Sequence, residues 1–125
     1  MIPQSHILVV EDDHMVATLI SYALRELGGF AVKVANGGDA ALESLGILRP
    51  DLILLDRWMP GTGGDEVFHF ARQNAQTSTI PIVFVTGDLS DLPDDGVYRV
   101  LKKPFEVRDL LSVVRQSLVD SDGLS

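Results

Sequence analysis

The sequence contains no cysteine among its 125 residues and has few basic side chains. Without thiols the chain cannot form a disulfide framework, a thiolate nucleophile, a zinc ribbon or an iron–sulfur site, and this composition is compatible with a reducing compartment. Lysine and arginine number 10 against 18 aspartate and glutamate residues, which gives a formal net charge of −8. This charge argues against direct binding of nucleic acid or of an anionic membrane.

Long hydrophobic runs are also missing. Apolar stretches such as LILL at 52–55 and IVFV at 82–85 are far shorter than the roughly 20 residues that span a bilayer. The amino-terminal segment MIPQSHILVVEDD has neither the basic region nor the small-residue cleavage site of a signal peptide. We therefore expect a cytoplasmic protein with one compact domain over residues 1–125, a core over about 5–119 and a frayed tail at 120–125.

The apolar residues that are present alternate between strand-like runs and helical periodicity. They predict five strands, at 6–10, 30–35, 52–55, 80–85 and 97–101. They predict helices at 15–27, 39–48, 65–75 and 107–118, with Asp13 and Asp39 as N-caps of the first two. Residues 88–97 contain four acids, a proline and a glycine and favour at most a turn or two of helix. This alternation predicts a parallel sheet with helices on both faces.

Polar side chains stand at the carboxyl ends of four of the predicted strands. They are Glu11, Asp12 and Asp13 after the first strand, Asp56 after the third, Thr86 after the fourth and Lys102 or Lys103 after the fifth. In an open parallel sheet these ends face a common crevice, so we expect the side chains to converge.

Clustered carboxylates repel one another unless a cation neutralises them. Mg²⁺ suits an open acidic site, because it takes one or two carboxylates and keeps water or phosphate oxygens as its other ligands. A lysine and a threonine beside the metal would hold an anion, and a phosphoryl group is the natural one. The sequence therefore predicts a magnesium-dependent phosphoryl site.

Four motifs resemble the response regulator receiver domain: LVVEDD at 8–13, PDLILLDRWMPG at 50–61, IPIVFVTG at 80–87 and KKPF at 102–105. Their order and spacing are specific, and the resemblance covers almost the whole chain. It implies a flavodoxin-like (βα)5 sandwich, with a five-stranded parallel sheet of order 2-1-3-4-5, a short or irregular fourth helix and no output domain.

The resemblance also implies a role for each matching residue. Asp56 corresponds to the phosphoacceptor, Lys103 would pair with the phosphoryl oxygens and Thr86 would hydrogen-bond to them, whereas Lys102 is expected to be a solvated charge. The Mg²⁺ ligands would be Asp12, Asp56 and the backbone carbonyl of Trp58, with Glu11 assisting. The Lys103–Pro104 bond is expected to be cis, and Asp13 is interpreted as a helix cap.

The implied function is a phosphorylation-activated switch in a two-component phosphorelay. A histidine kinase or histidine phosphotransfer protein would donate the phosphoryl group, and the output would pass to an unidentified downstream protein. Such a domain is not a conventional enzyme, since it catalyses its own phosphorylation and dephosphorylation at aspartate. We expect a monomer or weak homodimer that binds neither nucleic acid nor membrane directly.

The sequence departs from the family pattern in three places, and two of them, the altered switch position and the shortened segment, favour an alternative, a pseudo-receiver that binds partners independently of phosphorylation. Val100 occupies the position of the usual aromatic switch residue, and Tyr98 lies two residues earlier. The segment 88–97 is short, and Gly63 stands where an acid is frequent. Trp58 has two open interpretations: it shields the phosphoryl group from water, or it packs over the neighbouring loop.

Overall fold

The computed structural model describes residues 4–94 and 98–123, which form one sheet and its covering helices. The strands are β1 (His6–Val10), β2 (Ala31–Ala35), β3 (Leu52–Asp56), β4 (Ile82–Thr86) and β5 (Arg99–Lys102). The helices are α1 (His14–Tyr22), which continues into a π-helical turn (Ala23–Leu27), then α2 (Gly38–Leu45), α3 (Gly64–Gln73) and α4 (Val107–Gly123).

The five strands are all parallel and lie in the order β2-β1-β3-β4-β5. The predicted fold class and strand order are therefore confirmed. Every residue of β3 and β4 is buried, because both strands lie inside the sheet and are covered on both faces. The register places Val10 beside Leu55, and Asp56 beside Val85. The carboxyl ends of β1, β3 and β4 thus open at one edge of the sheet.

Two apolar layers hold the sandwich together. One side of the sheet packs against α2 and α3, through buried residues that include Leu45, Val67 and Phe68. The other side packs against α1 and α4, through residues that include Ile20 and Leu110. Among the residues described, none of the helices is long and apolar enough to span a membrane.

The two predicted helix caps have different outcomes. Asp13 caps α1 as expected, since its carboxylate accepts hydrogen bonds from the Met15 and Val16 amides at 2.9 and 3.2 Å. The prediction that Asp39 caps α2 is wrong, because α2 begins at Gly38 after an N-cap at Gly37 that makes no side-chain bond.

The reason lies in the packing of α2 against the loop that follows β3. A Cβ atom on Gly38 would lie 2.1 Å from the Thr62 carbonyl oxygen, so only glycine permits this close approach. Asp39 is consequently in the first turn of the helix, where its carboxylate accepts a 2.6 Å hydrogen bond from the Thr62 hydroxyl.

The connection between β4 and β5 differs from the other crossovers. Residues 87–94, hereafter the β4 loop, contain turns and irregular backbone but no helix, and the rest of the predicted segment, 95–97, lies outside the described residues. At the other end of the chain, α4 reaches Gly123, well beyond the predicted helix end at 118 and into the tail that was expected to fray. Residues 124–125 lie outside the described part.

Candidate functional site

Three acidic side chains meet at the carboxyl ends of the central strands. Glu11 and Asp12 follow β1, and Asp56 is the last residue of β3. One carboxylate oxygen from each lies within 4.8 Å of the others. Glu11 and Asp56 are buried, whereas Asp12 is exposed. The cluster is therefore open to solvent on the Asp12 side.

Among the described residues, one ammonium group faces this cluster. Lys103 directly follows β5, and its Nζ lies 3.0 Å from Glu11 Oε1 and 3.6 Å from Asp56 Oδ1. The following Lys103–Pro104 peptide is cis, as expected. Lys102 is exposed, because consecutive strand residues point to opposite faces. The structure thus brings Lys103, and not Lys102, to the acids.

The electrostatics of the cluster show how strongly the carboxyl groups interact. The pKa of Asp56 is raised from 3.8 to about 7, first by burial and then by hydrogen bonding with and repulsion from Glu11, while the charge of Lys103 opposes the shift. For Lys103, burial alone would lower the pKa, but the hydrogen bond to Glu11 and the charges of Asp56 and Glu11 outweigh it and raise the pKa above its ordinary value. The site has a deficit of positive charge.

This donor set fits a hard divalent cation. All three side chains offer oxygen ligands, and Mg²⁺ prefers oxygen ligands, of which one or two are carboxylates. One lysine cannot neutralise three acids, and repulsion from Glu11 and Asp12 adds to the burial that raises the pKa of Asp56. Glu11, Asp12 and Asp56 are thus the side chains that could hold Mg²⁺. The Trp58 carbonyl as a further ligand stays a prediction.

Thr86 is placed at the same edge of the sheet by the end of β4, and its side chain is buried. Its hydroxyl oxygen accepts the Asp88 amide at 3.1 Å and donates to the Asp88 carbonyl at 3.3 Å. The hydroxyl is thus engaged with the β4 loop, and it must turn away from the Asp88 carbonyl to donate to a group on Asp56.

Trp58 packs over its own loop. Its side chain is exposed, and the Arg57 guanidinium carbon lies 4.7 Å from the centroid of the indole. Hydrogen bonds from Ser90 lower the pKa of Asp88, and the charge of Arg57 and a hydrogen bond from the Trp58 side chain lower it further. This geometry favours the packing interpretation of Trp58.

The structure shows where the side chains of Val100, at the usual switch position, and of Tyr98, two residues earlier, are packed. Val100 lies in β5 and Tyr98 precedes that strand by one residue, and both pack on the same apolar layer as α2 and α3. The Tyr98 ring makes edge contacts with Phe68 and Phe84, and its hydroxyl donates to the Pro93 carbonyl. Tyr98 therefore supports the β4 loop from the inside.

Sequence reasoning missed Arg57. This residue directly follows Asp56, yet its side chain is only 1% exposed and pairs with Asp65 at 3.1 Å. The available signal was an arginine at the end of an all-apolar strand with an aspartate eight residues later. A buried arginine requires acceptors for its charge, and here several of those acceptors are carbonyls of the distant β4 loop.

Comparison with known proteins agrees with this geometry. Residues 7–115 match the model of the response regulator receiver domain. The chain belongs to this family. The receiver domain is 36% identical over 124 residues to the DNA-binding response regulator MtrA of Mycobacterium tuberculosis, a match that covers 95% of this chain and 53% of the relative. The chain thus spans about half the length of the curated relatives it matches.

Solved receiver structures superpose closely on this one. A putative response regulator from Chloroflexus aurantiacus has a TM-score of 0.86 and 31% identity, over 94% of this chain and 99% of the other. The receiver domain of the sensor histidine kinase PA1611 from Pseudomonas aeruginosa has a TM-score of 0.85 and 26% identity, with the same coverage. That structure has a magnesium ion coordinated in its active-site cleft. This chain is therefore a receiver domain of two-component response regulators.

Proposed function

We propose that this receiver domain is a switch that accepts a phosphoryl group on Asp56. The observation that carries the proposal is the position of Asp56 between two acids and one lysine. Its carboxylate lies within 4.8 Å of carboxylate oxygens of Glu11 and Asp12, and 3.6 Å from Lys103 Nζ. Such a site has a nucleophilic oxygen, oxygen ligands for a cation and a positive group for an incoming anion.

The transfer is an in-line displacement at phosphorus. A carboxylate oxygen of Asp56 attacks the phosphorus of a phosphohistidine, and a new O–P bond forms as the P–N bond breaks. The electron pair of the P–N bond stays on the imidazole nitrogen. The product is an acyl phosphate on Asp56. Dephosphorylation follows when water attacks the same phosphorus, which releases inorganic phosphate and restores the carboxylate.

The residues around Asp56 have distinct roles in this step. Asp12, Asp56 and Glu11, with the Trp58 carbonyl, would hold Mg²⁺, and the bound cation would supply charge neutralisation for the phosphoryl oxygens. Lys103 transfers its contact from Asp56 to a phosphoryl oxygen. Its Nζ lies 3.6 Å from Asp56 Oδ1, close enough to reach a phosphoryl group on that carboxylate. The Thr86 hydroxyl turns from Asp88 and donates to the same group.

The added charge then shifts the conformation of the neighbouring loops. The donor is proposed to be a histidine kinase or a histidine phosphotransfer protein, and the signal passes by protein contacts to a downstream protein. The domain acts in the cytoplasm as a monomer or weak homodimer. It is not proposed to bind nucleic acid or membrane, because its formal net charge is −8.

The test is direct phosphorylation. The protein is incubated with Mg²⁺ and acetyl phosphate, and intact mass is measured. We expect an increase of about 80 Da that is stable in acid and labile in base, and that is lost in Asp56→Asn. Asp51→Asn is the matched control, since Asp51 precedes the opposite end of β3, and it should retain the adduct. Absence of the adduct in the wild type, with acetyl phosphate and with kinase, would refute the switch.

That outcome would favour the second candidate, a pseudo-receiver. The observation behind it is the β4 loop, where a turn replaces the helix that a (βα)5 sandwich places between β4 and β5. In addition, the Tyr98 ring is held between Phe68 and Phe84, with its hydroxyl on Pro93. A module of this kind would bind its partner equally well with Asp56→Asn as with the wild type.

A further inference from the structure

Arg57 is a fully buried arginine whose entire hydrogen-bonding capacity is used. Its Nε and Nη2 donate to the Asp65 carboxylate at 3.1 and 3.3 Å, and its Nη1 donates to the Asp88 carbonyl at 3.2 Å. Nη1 also donates to the Ser90 carbonyl, and Nη2 to the Asp91 carbonyl. A guanidinium has five N–H groups, so every one of them has an acceptor here.

Three of these acceptors belong to the β4 loop. In a helix, the carbonyls of residues 88, 90 and 91 would accept backbone amides four residues later, but residues 87–94 form no helix. Backbone carbonyls need a hydrogen-bond donor, and the buried Arg57 side chain donates to all three of these. Asp91 also has a φ of 54°, a left-handed conformation that is uncommon for a non-glycine residue. Arg57 therefore takes the place of the missing helical hydrogen bonds.

The same loop holds the Thr86 hydroxyl. The Asp88 carbonyl accepts two donors, Arg57 Nη1 at 3.2 Å and Thr86 Oγ1 at 3.3 Å. If the threonine hydroxyl turns toward a phosphoryl group on Asp56, the carbonyl still has its bond from Arg57. Without Arg57, turning the hydroxyl would leave the carbonyl unpaired, which disfavours the turn.

We propose that Arg57 is a positioning residue for phosphoryl transfer to Asp56 and acts through the Asp88 carbonyl on Thr86. This inference rests on the proposed function and deepens it. Arg57 does not touch the phosphoryl group in this scheme. It holds the β4 loop in place, so that the Asp88 carbonyl keeps its bond from Arg57 when the Thr86 hydroxyl turns away.

A purely structural role for Arg57 is the competing explanation, because Asp65 lies in the first turn of α3 and the pair could simply secure that helix. The two roles are separable. The Asp65 side chain is 34% exposed, so solvent can satisfy it when Arg57 is replaced. Of the three loop carbonyls, only that of Asp88 accepts a second donor among the contacts described, and this donor is the Thr86 hydroxyl at 3.3 Å.

The test is a double-mutant cycle between Arg57→Lys and Thr86→Ala, with rate constants for phosphorylation measured at saturating acetyl phosphate and Mg²⁺. Lysine keeps the positive charge beside Asp65 but lacks the planar guanidinium, whose five N–H donors reach the carboxylate and the loop carbonyls together. We expect Arg57→Lys to slow phosphorylation about five- to tenfold, the effect of roughly one net hydrogen bond. In the Thr86→Ala background the same substitution should have little further effect.

Arg72→Lys is the matched control. Arg72 Nη1 likewise donates to two backbone carbonyls, those of Ser78 and Ile80, but at the opposite end of β4. We expect it to leave the phosphorylation rate constant unchanged. Amide hydrogen exchange supplies a second readout, in which Arg57→Lys and Arg57→Met should increase exchange at Asp88, whose amide bonds to Thr86 Oγ1.

The outcomes separate this inference from the proposed function. Wild-type protein that acquires no phosphoryl group would overturn both. Two other outcomes would overturn the positioning role alone. In the first, Arg57→Lys leaves the rate of phosphorylation on Asp56 unchanged. In the second, Arg57→Lys slows phosphorylation by the same factor in the wild-type and Thr86→Ala backgrounds.

Discussion

Lys103 donates a 3.0 Å hydrogen bond to Glu11 across 92 positions of the chain, and this contact joins the end of β5 to the end of β1. Glu11 is 2% exposed, and Lys103 is its cationic partner at this edge of the sheet. The same ammonium lies 3.6 Å from Asp56. Lys103 therefore occupies, in part, the position where a metal would neutralise the acids.

Replacement of Lys103 should affect metal binding and phosphorylation in opposite directions. In Lys103→Met, Mg²⁺ no longer competes with an ammonium, so we expect its affinity to rise about tenfold, equivalent to about 1.4 kcal/mol of relieved repulsion. The phosphorylation rate should fall, because the phosphoryl oxygens then lose their positively charged side-chain partner. Calorimetry and intact mass measure the two effects. Lys102→Met is the control, and a weaker Mg²⁺ affinity in Lys103→Met would contradict this account.

The stability of the metal-free protein should depend on pH through Asp56. Its pKa is raised from 3.8 to about 7, so the folded chain holds this proton more tightly than the unfolded chain does. The resulting stabilisation is fully present below about pH 4 and is lost as the pH rises through about 7. We expect the free energy of unfolding to fall by about 1 to 2 kcal/mol over this range. Solvent at the open side of the site screens the charge of Asp56 and keeps the loss this small.

Urea unfolding in EDTA, from about pH 5 to about pH 8, measures this dependence. Asp56→Asn should lose it and be more stable than the wild type at the upper end of the range. Asp51→Asn should retain the wild-type slope. A wild-type protein whose stability relative to Asp56→Asn rises with pH would have the opposite sign and refute the prediction.

Gly64 holds the start of α3 against the end of β3, the strand that carries Asp56. A Cβ atom at this position would lie 2.2 Å from the Asp56 carbonyl oxygen and 2.8 Å from the Arg57 Cα. Both neighbours are backbone and cannot turn aside, so Gly64→Ala should cost about 3 kcal/mol or more and slow phosphorylation. The matched control is Gly37→Ala, where a Cβ meets nothing within 4 Å and the φ of 173° is extended backbone. Equal stability of the two variants would show that α3 can move away without cost.

Trp58 should stabilise the loop through its contact with Arg57. Trp58→Ala is expected to cost about 0.5 to 1 kcal/mol, since the indole lies over a guanidinium at 4.7 Å. Trp58→Phe should recover part of that loss because it keeps an aromatic face. Tyr22→Ala, at a similarly exposed aromatic on α1, should have a smaller effect. Denaturant unfolding measures all three, and a neutral Trp58→Ala would argue against the contact.

Much of the site could be predicted from the chain because its residues stand at strand ends. Glu11, Asp12, Asp56 and Lys103 each follow or end a short apolar run, and parallel strands bring such ends to one edge. Asp13 as the cap of α1 depends only on residues two and three positions away. Local spacing and strand direction were sufficient in these cases.

The structure alone decided the contacts that join distant segments. Nothing near Arg57 in the sequence indicates that its guanidinium reaches carbonyls 31 to 34 positions later. Nor does the sequence around Asp39 indicate its partner: this residue was expected to cap α2 and instead accepts a hydrogen bond from Thr62, 23 positions later. Hydrophobic periodicity determines which elements form and which face each one buries. A buried polar group takes whichever partner the packed chain places within reach, and that depends on the tertiary arrangement.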